Sequence, residues 1–413
     1  MTPPERLTIT GPEDILGFIP HSLGYWPANS LVAMTMQGKR LGATLRVDLP
    51  DSDTDSGLFR FARTVSEYLE ADTEADGSLL VVFSNAAWTG GPGFAPAGGS
   101  PAAAAGVTRR LLTALEAELE LSGRPVRDSW YVGDAYWRSA HCNDPACCPF
   151  PGRSLDEIRD SRLNAEMVFR GSSVGEDPAA AGGALPGECR PDAAVMEAEQ
   201  RWAREFAPSR ASRQQFGQLL DTWARVLAAE PGAILSAGLA GYLRASLRVP
   251  HWRDAVLVMS AAGRSAAVQG AEDFGIFGPD GGQPAVSPPS GELPPAAPEE
   301  DTDGAPAGYG DVLLGLAPLV PCWERIRALE RTFQQLGTAG GGEGGAALLT
   351  GLGWIEWCRG RGSFAHALLE QAVLAHPGYR LAELLSELVS RGTLCGWAGR
   401  RDAAWQKFEP DAA

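Results

Sequence analysis

The chain carries little positive charge for its length. Its 413 residues include 35 Lys and Arg against 51 Asp and Glu, which gives a formal net charge of −16 at pH 7. No run rich in Lys or Arg offsets this charge locally, so the sequence would repel both a nucleic-acid backbone and an anionic membrane surface. We therefore expect a protein that binds neither nucleic acid nor membranes.

Long apolar runs and a regular cysteine framework are also missing. Nowhere do about 18 apolar residues follow one another, as a membrane-spanning helix needs, and the opening stretch MTPPERLTITGPEDILGF lacks an apolar core of signal-peptide length. A chain of this length buries a core without disulfides. Four of its seven cysteines stand singly, at Cys189, Cys322, Cys358 and Cys395, and do not form a disulfide framework. We therefore expect a cytoplasmic protein.

Common catalytic signatures are absent or lie in the wrong context. The sequence has neither a phosphate-loop Lys-Ser/Thr pair nor the His pair of a zinc protease. The stretch GSSVG at 171–175 has the spacing of a nucleophile elbow, but that motif needs a strand before it and a helix after it. His21 lacks an assignable acidic partner and fits either a hydrogen-bonded turn residue or an active-site base.

The first 171 residues alternate strand and helix patterns. An uninterrupted apolar run at 79–83 is typical of a strand covered on both faces, whereas 43–49 alternates like a strand with one wet face. The pattern predicts an α/β domain over 1–171, with a layered mixed sheet and helices. Its predicted strands are 31–36, 43–49 and 79–83 with a hairpin at 130–137, and its predicted helices are 58–69, 107–119 and one from Ser154 to Arg170.

Beyond a low-complexity linker at 172–191 the strand patterns disappear, and we expect all-α middle and C-terminal regions. A helical region is predicted at 192–262, and a flexible acidic linker rich in Gly and Pro at 263–310. A second helical region at 311–394 contains one tetratricopeptide-like hairpin, followed by a tail at 395–413. Such a hairpin favours a protein partner, with Trp354 and Trp357 either exposed as anchors or buried inside it.

The remaining cysteines lie together in WRSAHCNDPACCPFPG, which runs from Trp137 to Gly152. Cys142, Cys147 and Cys148 form a candidate zinc site, with His141, Asp144 or Cys189 as the fourth ligand. Adjacent side chains of an extended segment point to opposite faces, so Cys147 and Cys148 share one ion only within a tight turn. A redox pair and a purely structural, Pro-stiffened turn are the two alternatives.

Four stretches together resemble a known family. They are FIPHSLGYWPANSLVAM at 18–34, LRVDLP at 45–50, CNDPACCPFPG at 142–152 and RDAVL at 253–257. Their order is similar to that of the actinobacterial family called domain of unknown function 4192, over about Leu7 to Arg391. The resemblance implies a cytoplasmic protein without a named activity. It implies as family marks Pro20, Leu23, Gly24, Pro27, Ser30, Leu31, Val32, Cys142, Pro145, Cys147, Cys148, Pro149, Gly152, Arg253 and Asp254.

Two classes of function fit these patterns. The first is a non-enzymatic regulatory or protein-interaction protein whose cysteine loop is structural or stabilised by zinc. The alternative is an enzyme with metal- or thiol-dependent chemistry at Cys142, Cys147 and Cys148. No other set of residues in the sequence combines a nucleophile, a base and an orienting group.

Overall fold

The computed structural model describes residues 9–85, 101–142, 144, 146–148, 151–175, 192–278, 285–289 and 307–406. The chain forms two compact units, 1–177 and 178–413, which we call the N-terminal and C-terminal units. Much of both predicted linkers, at 176–191, 279–284 and 290–306, lies outside the described residues, and so does Cys189. Among the residues that are described, none of the helices combines the length and apolar character that a membrane span needs.

The N-terminal unit is built on a mixed six-stranded sheet, which confirms the predicted α/β architecture. The strands are β1 Ser30–Gln37, β2 Arg40–Asp48, β3 Gly77–Phe83, β4 Val126–Val132, β5 Tyr136–Ser139 and β6 Arg153–Ser154. Their order in the sheet is β2-β1-β3-β4-β5-β6; β3 and β4 are parallel, and all other neighbours are antiparallel.

Helices cover the two faces of this sheet. Helices α2 (Asp55–Leu69) and α3 (Pro101–Leu121) pack on the face that carries Leu80, Val82 and Tyr131. The opposite face carries Val81, Trp130 and Trp137. It packs against a helix that comes before the first strand and a helix that comes after the last strand. Because alternate residues of β3 are buried on opposite faces, all seven of its residues are buried, as its uninterrupted apolar sequence predicts.

A first helix, α1 (Pro12–Leu23), precedes the sheet and was not predicted. It ends at Gly24, whose φ of 91° is left-handed and whose N–H donates to the Pro20 carbonyl at 2.7 Å. His21 lies buried in the last turn of α1, with Nδ1 3.0 Å from Ser172 Oγ and Nε2 2.7 Å from Asn164 Oδ1. Since an amide oxygen only accepts, Nε2 donates and the Ser172 hydroxyl donates to Nδ1. His21 therefore holds residue 172 against α1.

The predicted single helix from Ser154 to Arg170 is wrong. The structure has two helices, α4 (Asp156–Arg159) and α5 (Arg162–Phe169), with Ser154 at the end of β6. Ser161 interrupts the helix because its backbone is extended and its side chain caps α5 by accepting from the Asn164 N–H. Helix α5 also precedes GSSVG, so the strand that a nucleophile elbow requires is not there.

The C-terminal unit is helical over the residues described, as predicted. Of the 17 residues of its central helix α13 (Gly342–Cys358), 15 are buried. Trp354 and Trp357 of this helix belong to the largest core cluster, so they are buried and not partner anchors. Its helices are α6 Ala193–Phe206, α7 Arg213–Leu227, α8 Ala237–Leu247, α9 Pro250–Ala262, α10 Arg264–Asp273, α11 Tyr309–Leu313, α12 Trp323–Gly337, α13 Gly342–Cys358, α14 Gly362–Ala375 and α15 Arg380–Ser390.

Two predicted boundaries in this unit need correction. Helix α10 occupies residues that were assigned to the flexible linker from 263, and it buries Ala266, Ala267 and Ala271. The predicted tail from 395 also contributes to the core, because Cys395 and Trp397 are fully buried. In both places a few small or aromatic side chains pack against other helices of the unit. The average amino-acid composition of a segment does not reveal such individual contacts.

A buried ion pair holds the C-terminal unit together. Arg244 Nε donates to Glu199 Oε2 at 2.6 Å, and neither side chain has more than 2% of its surface exposed. The same guanidinium donates to the carbonyls of Leu336, Gly340 and Gly341 at 2.8–2.9 Å. The glycine run before α13 is thus fixed by charge-assisted hydrogen bonds between helices far apart in sequence.

Arg244→Met should strongly destabilise the C-terminal unit. The change leaves Glu199 buried without its closest cation and three carbonyls without their donor, which costs about 3–5 kcal/mol of unfolding free energy. Urea unfolding followed by tryptophan fluorescence measures this loss. Arg380→Met is the control, because the Arg380 side chain is 77% exposed and its pair with Glu383 contributes less than about 1 kcal/mol. Equal losses in the two variants would contradict the proposed clamp.

Candidate metal centre

The cysteine segment is the connection between β5 and β6, which pair through Trp137 and Arg153. The connection returns to the sheet at Gly152, whose φ is 143°. A Cβ atom at this position would lie 2.5 Å from the Trp137 carbonyl oxygen. Only glycine allows the backbone to approach β5 this closely, so Gly152 fixes where the loop ends.

A tight turn places the cysteines within this loop. The Asp144 carbonyl accepts from the N–H of Cys147 at 3.2 Å and from the N–H of Cys148 at 2.7 Å. The Asp144 carboxylate accepts from the Ala146 N–H at 2.9 Å. At the start of the loop, Ser139 Oγ accepts from the N–H of Cys142 at 3.3 Å. The loop therefore turns back on itself between its first and last cysteine.

The turn brings all three sulfur atoms together. The Sγ atoms of Cys142, Cys147 and Cys148 all lie within 4.8 Å of one another, and those of Cys147 and Cys148 are 4.0 Å apart. In a tetrahedral thiolate site with metal–sulfur bonds of about 2.3 Å, neighbouring sulfurs are about 3.8 Å apart. The three side chains could therefore hold one metal ion, in the tight turn that adjacent cysteines require.

The three thiols are electrostatically unequal. The Asp144 N–H donates to the Cys142 sulfur and lowers the pKa of this thiol, and the Cys148 thiol acts in the same direction. Burial raises the pKa of the Cys148 thiol to about 11, and its hydrogen bonds to the other two sulfurs add to this effect. Without a metal, Cys142 is thus the more readily ionised of these two residues, and a bound cation would displace the proton of Cys148.

The structure does not bring His141 or Asp144, two of the three predicted fourth ligands, into this group. His141 Nε2 lies 2.9 Å from Ser129 Oγ and 3.0 Å from Glu116 Oε1 of α3, so its ring faces the α2/α3 side of the sheet. The Asp144 carboxylate is used by the turn itself. Among the residues that the structure describes, the clustered metal-ligating atoms are those of the three cysteines alone.

A cavity of about 250 Å³ adjoins the three cysteines. Trp130 and Trp137 line it from the sheet. Arg153 also lines it, with its guanidinium carbon 5.0 Å from the Trp137 ring centre. Asp128 of β4 lines the same cavity, and burial raises the pKa of its carboxyl against the opposing effects of the Ser129 N–H and His141. The cysteine cluster therefore borders a space large enough for a small ligand.

Sequence reasoning missed Asp128 and Trp130. Both precede Cys142 by at least twelve residues and belong to the neighbouring strand. A signal for them does exist, because alternation along β4 places residues 128, 130 and 132 on one face. It could be used only once the cysteine loop was known to lie against this face of β4.

The loop cysteines should react with iodoacetamide much faster than the core cysteines in metal-free native protein. Cys147 is exposed, whereas Cys358 and Cys395 have 0% of their surface exposed and react only after local opening. Peptide mass spectrometry after a timed reaction gives the modified fraction at each site. Modification of Cys358 as rapid as that of Cys147 would contradict this arrangement.

Comparison with protein families and with known proteins gives a family match. No curated protein matches the chain, and no solved structure does. A family model matches residues 12–271 and 323–394, so that the matched segments include the whole cysteine loop and most of the helical unit. The chain therefore belongs to the family described as Domain of unknown function (DUF4192).

Proposed function

We propose that the protein binds one zinc ion through Cys142, Cys147 and Cys148. The observation that carries this proposal is the approach of the three sulfur atoms to within 4.8 Å of one another. Three thiolates favour soft or borderline cations such as zinc over magnesium or calcium, which prefer oxygen ligands. A small turn with three converging sulfurs is also an arrangement that core packing alone does not require.

The bound ion would stabilise the loop that closes the sheet. None of the three cysteines of the β5–β6 connection is fully buried, since Cys147 is exposed and Cys142 and Cys148 are half-buried. A metal bound only by the folded loop adds its binding free energy to folding. On this proposal the protein is a non-enzymatic regulatory or protein-interaction protein whose N-terminal unit is stabilised by zinc.

On the interaction proposal, a protein partner binds an exposed apolar loop of the C-terminal unit. Leu314, Leu316, Leu319 and Val320 are 41–73% exposed between α11 and α12. The loop is held in place because the Pro318 carbonyl accepts from Trp397 Nε1 at 2.9 Å and the Leu319 carbonyl accepts from Arg400 at 2.8 Å. An apolar surface that is already ordered loses little conformational entropy when a protein binds. The net charge of −16 disfavours nucleic acid as the partner.

An enzyme is the second candidate function, and the cavity favours it. A purely structural metal site is closed by four protein ligands, whereas a catalytic site leaves one position open to a cavity. The three cysteines here border a space of about 250 Å³ that Asp128 also lines.

Metal analysis tests the zinc proposal. Protein purified under reducing conditions, without added metal, should contain about one zinc per chain by elemental analysis. Cys142→Ser, Cys147→Ser and Cys148→Ser should each weaken zinc binding by at least about 100-fold, since loss of a direct ligand exceeds the effect of its supporting groups. Cys322→Ser is the matched control, because Cys322 is a half-buried cysteine of the other unit. A parent protein without zinc that also fails to bind added zinc would reject the proposal.

The interaction proposal predicts that charge in the apolar loop abolishes partner binding. Leu316→Asp and Leu319→Asp place a carboxylate on exposed positions, so the fold should be kept while the contact is lost. Partners cross-linked to the parent protein in cells should be missing from both variants and retained by Leu121→Asp, at an 81% exposed position of the N-terminal unit. Equal recovery by the parent and the loop variants would contradict this docking surface.

A further inference from the structure

Sulfur atoms that are close enough to share a metal ion are also close enough to react with one another. The Sγ atoms of Cys142, Cys147 and Cys148 all lie within 4.8 Å of one another. A disulfide bond is about 2.05 Å long, so two of these sulfurs must approach by less than about 3 Å, the scale of one change of side-chain rotamer. The loop that gathers zinc ligands therefore also gathers the two halves of a disulfide.

Backbone geometry decides which two sulfurs can pair. The sulfurs of Cys147 and Cys148 are 4.0 Å apart, but the Cα atoms of consecutive residues are only about 3.8 Å apart. An unstrained disulfide needs a Cα separation of about 4.4–6.8 Å, so a bond between these neighbours would distort the peptide that joins them. Cys142 precedes Cys147 by five residues, and the turn at the Asp144 carbonyl folds the chain back between them. Cys142 is therefore one half of the disulfide that this loop favours.

Exposure decides which of the two adjacent cysteines meets an oxidant first. Cys147 is exposed, whereas Cys142 and Cys148 are half-buried. A hydroperoxide is a small oxidant that reaches the sulfur from solvent, and it reacts with thiolates, the form in which zinc holds its cysteine ligands. The proposed zinc site would thus present Cys147 to the oxidant, with the Cys142 sulfur close to it.

We propose that the zinc site is a redox switch, in which a hydroperoxide joins Cys142 and Cys147 in a disulfide and the zinc ion is released. This rests on the proposed zinc site and states how that site is regulated. The disulfide removes two of the three cysteine ligands, and Cys148 alone does not provide the set of ligands that zinc requires. The binding free energy that the ion adds to the folded loop is then lost.

The reaction takes two steps. The Cys147 thiolate attacks one peroxide oxygen, so that an S–O bond forms, the O–O bond breaks and hydroxide leaves from hydrogen peroxide. The Cys142 thiolate then attacks the Cys147 sulfur, the S–S bond forms, the S–O bond breaks and a second hydroxide leaves. The two sulfurs lose two electrons, which the peroxide gains. A dithiol reductant returns two electrons to the disulfide, so the switch is reversible.

Hydrogen peroxide treatment of the zinc-loaded, full-length protein tests the switch. Zinc release, followed with a colorimetric chelator, should accompany the formation of about one Cys142–Cys147 disulfide per ion, mapped by peptide mass spectrometry. A dithiol reductant and added zinc should then restore the bound ion. Release of zinc without a disulfide, or a disulfide that joins Cys142 to Cys148, would overturn the proposed reaction.

Single variants separate the roles of the two cysteines. Cys142→Ser should stop at the sulfenic acid of Cys147, which dimedone traps, because the second thiolate is missing. Cys147→Ser should be oxidised at least about tenfold more slowly, because its remaining loop sulfurs are half-buried. Cys322→Ser, which changes a half-buried cysteine of the other unit, is the matched control and should react like the parent protein.

Cys148→Ser separates the switch from the zinc site. This variant lacks one zinc ligand but keeps both reacting cysteines, so it should form the Cys142–Cys147 disulfide with peroxide in the absence of zinc. A parent protein that binds no zinc overturns the zinc site and the switch together. A parent protein that binds zinc and keeps it under peroxide, with all three thiols unoxidised, overturns the switch alone.

Discussion

The Asp144 carbonyl is the acceptor on which the geometry of the cysteine loop depends. It accepts from two successive N–H groups, at Cys147 and Cys148, and so closes a turn in which neighbouring side chains no longer point to opposite faces. At the other end of the loop, Gly152 allows the chain to pass close to the Trp137 carbonyl. With both constraints in place, three sulfurs meet beside the cavity that Asp128 lines. The cysteines supply the sulfurs, and these backbone constraints decide that the three sulfurs meet.

The two units achieve stability by different means. In the N-terminal unit two apolar faces of one sheet are covered by helices, and the polar contacts of His21 hold the end of the unit to α1. In the C-terminal unit the fully buried Arg244 and Glu199 join α8, α6 and the carbonyls before α13. A buried ion pair contributes little net stability compared with an apolar pair. It nevertheless tolerates few alternative packings, because any packing that separates the two charges leaves one of them buried without a partner. Arg244 thereby specifies how a glycine-rich connection lies.

Sequence periodicity predicted the parts of the fold in which local pattern and burial agree. The uninterrupted apolar run of β3 and the amphipathic spacing of α2 are examples, and the loss of strand patterns after 191 correctly predicted a helical unit. Periodicity failed at α1, which contains Pro20, and at Ser161, where one capping side chain divides a helical pattern into two helices. It also failed for Trp397, since a single aromatic residue in a polar segment has no period.

The sequence by itself determined that three cysteines share one short loop, that this loop follows an aromatic hairpin, and that the acidic chain is poorly suited to nucleic acid. Only the tertiary structure decided which polar groups accompany those cysteines. His141 is adjacent to Cys142 in sequence yet faces the other side of the sheet, while the distant Asp128 lines the same cavity as the three sulfurs. The reason is that side chains alternate across a sheet, and strand pairing brings together residues that sequence distance separates.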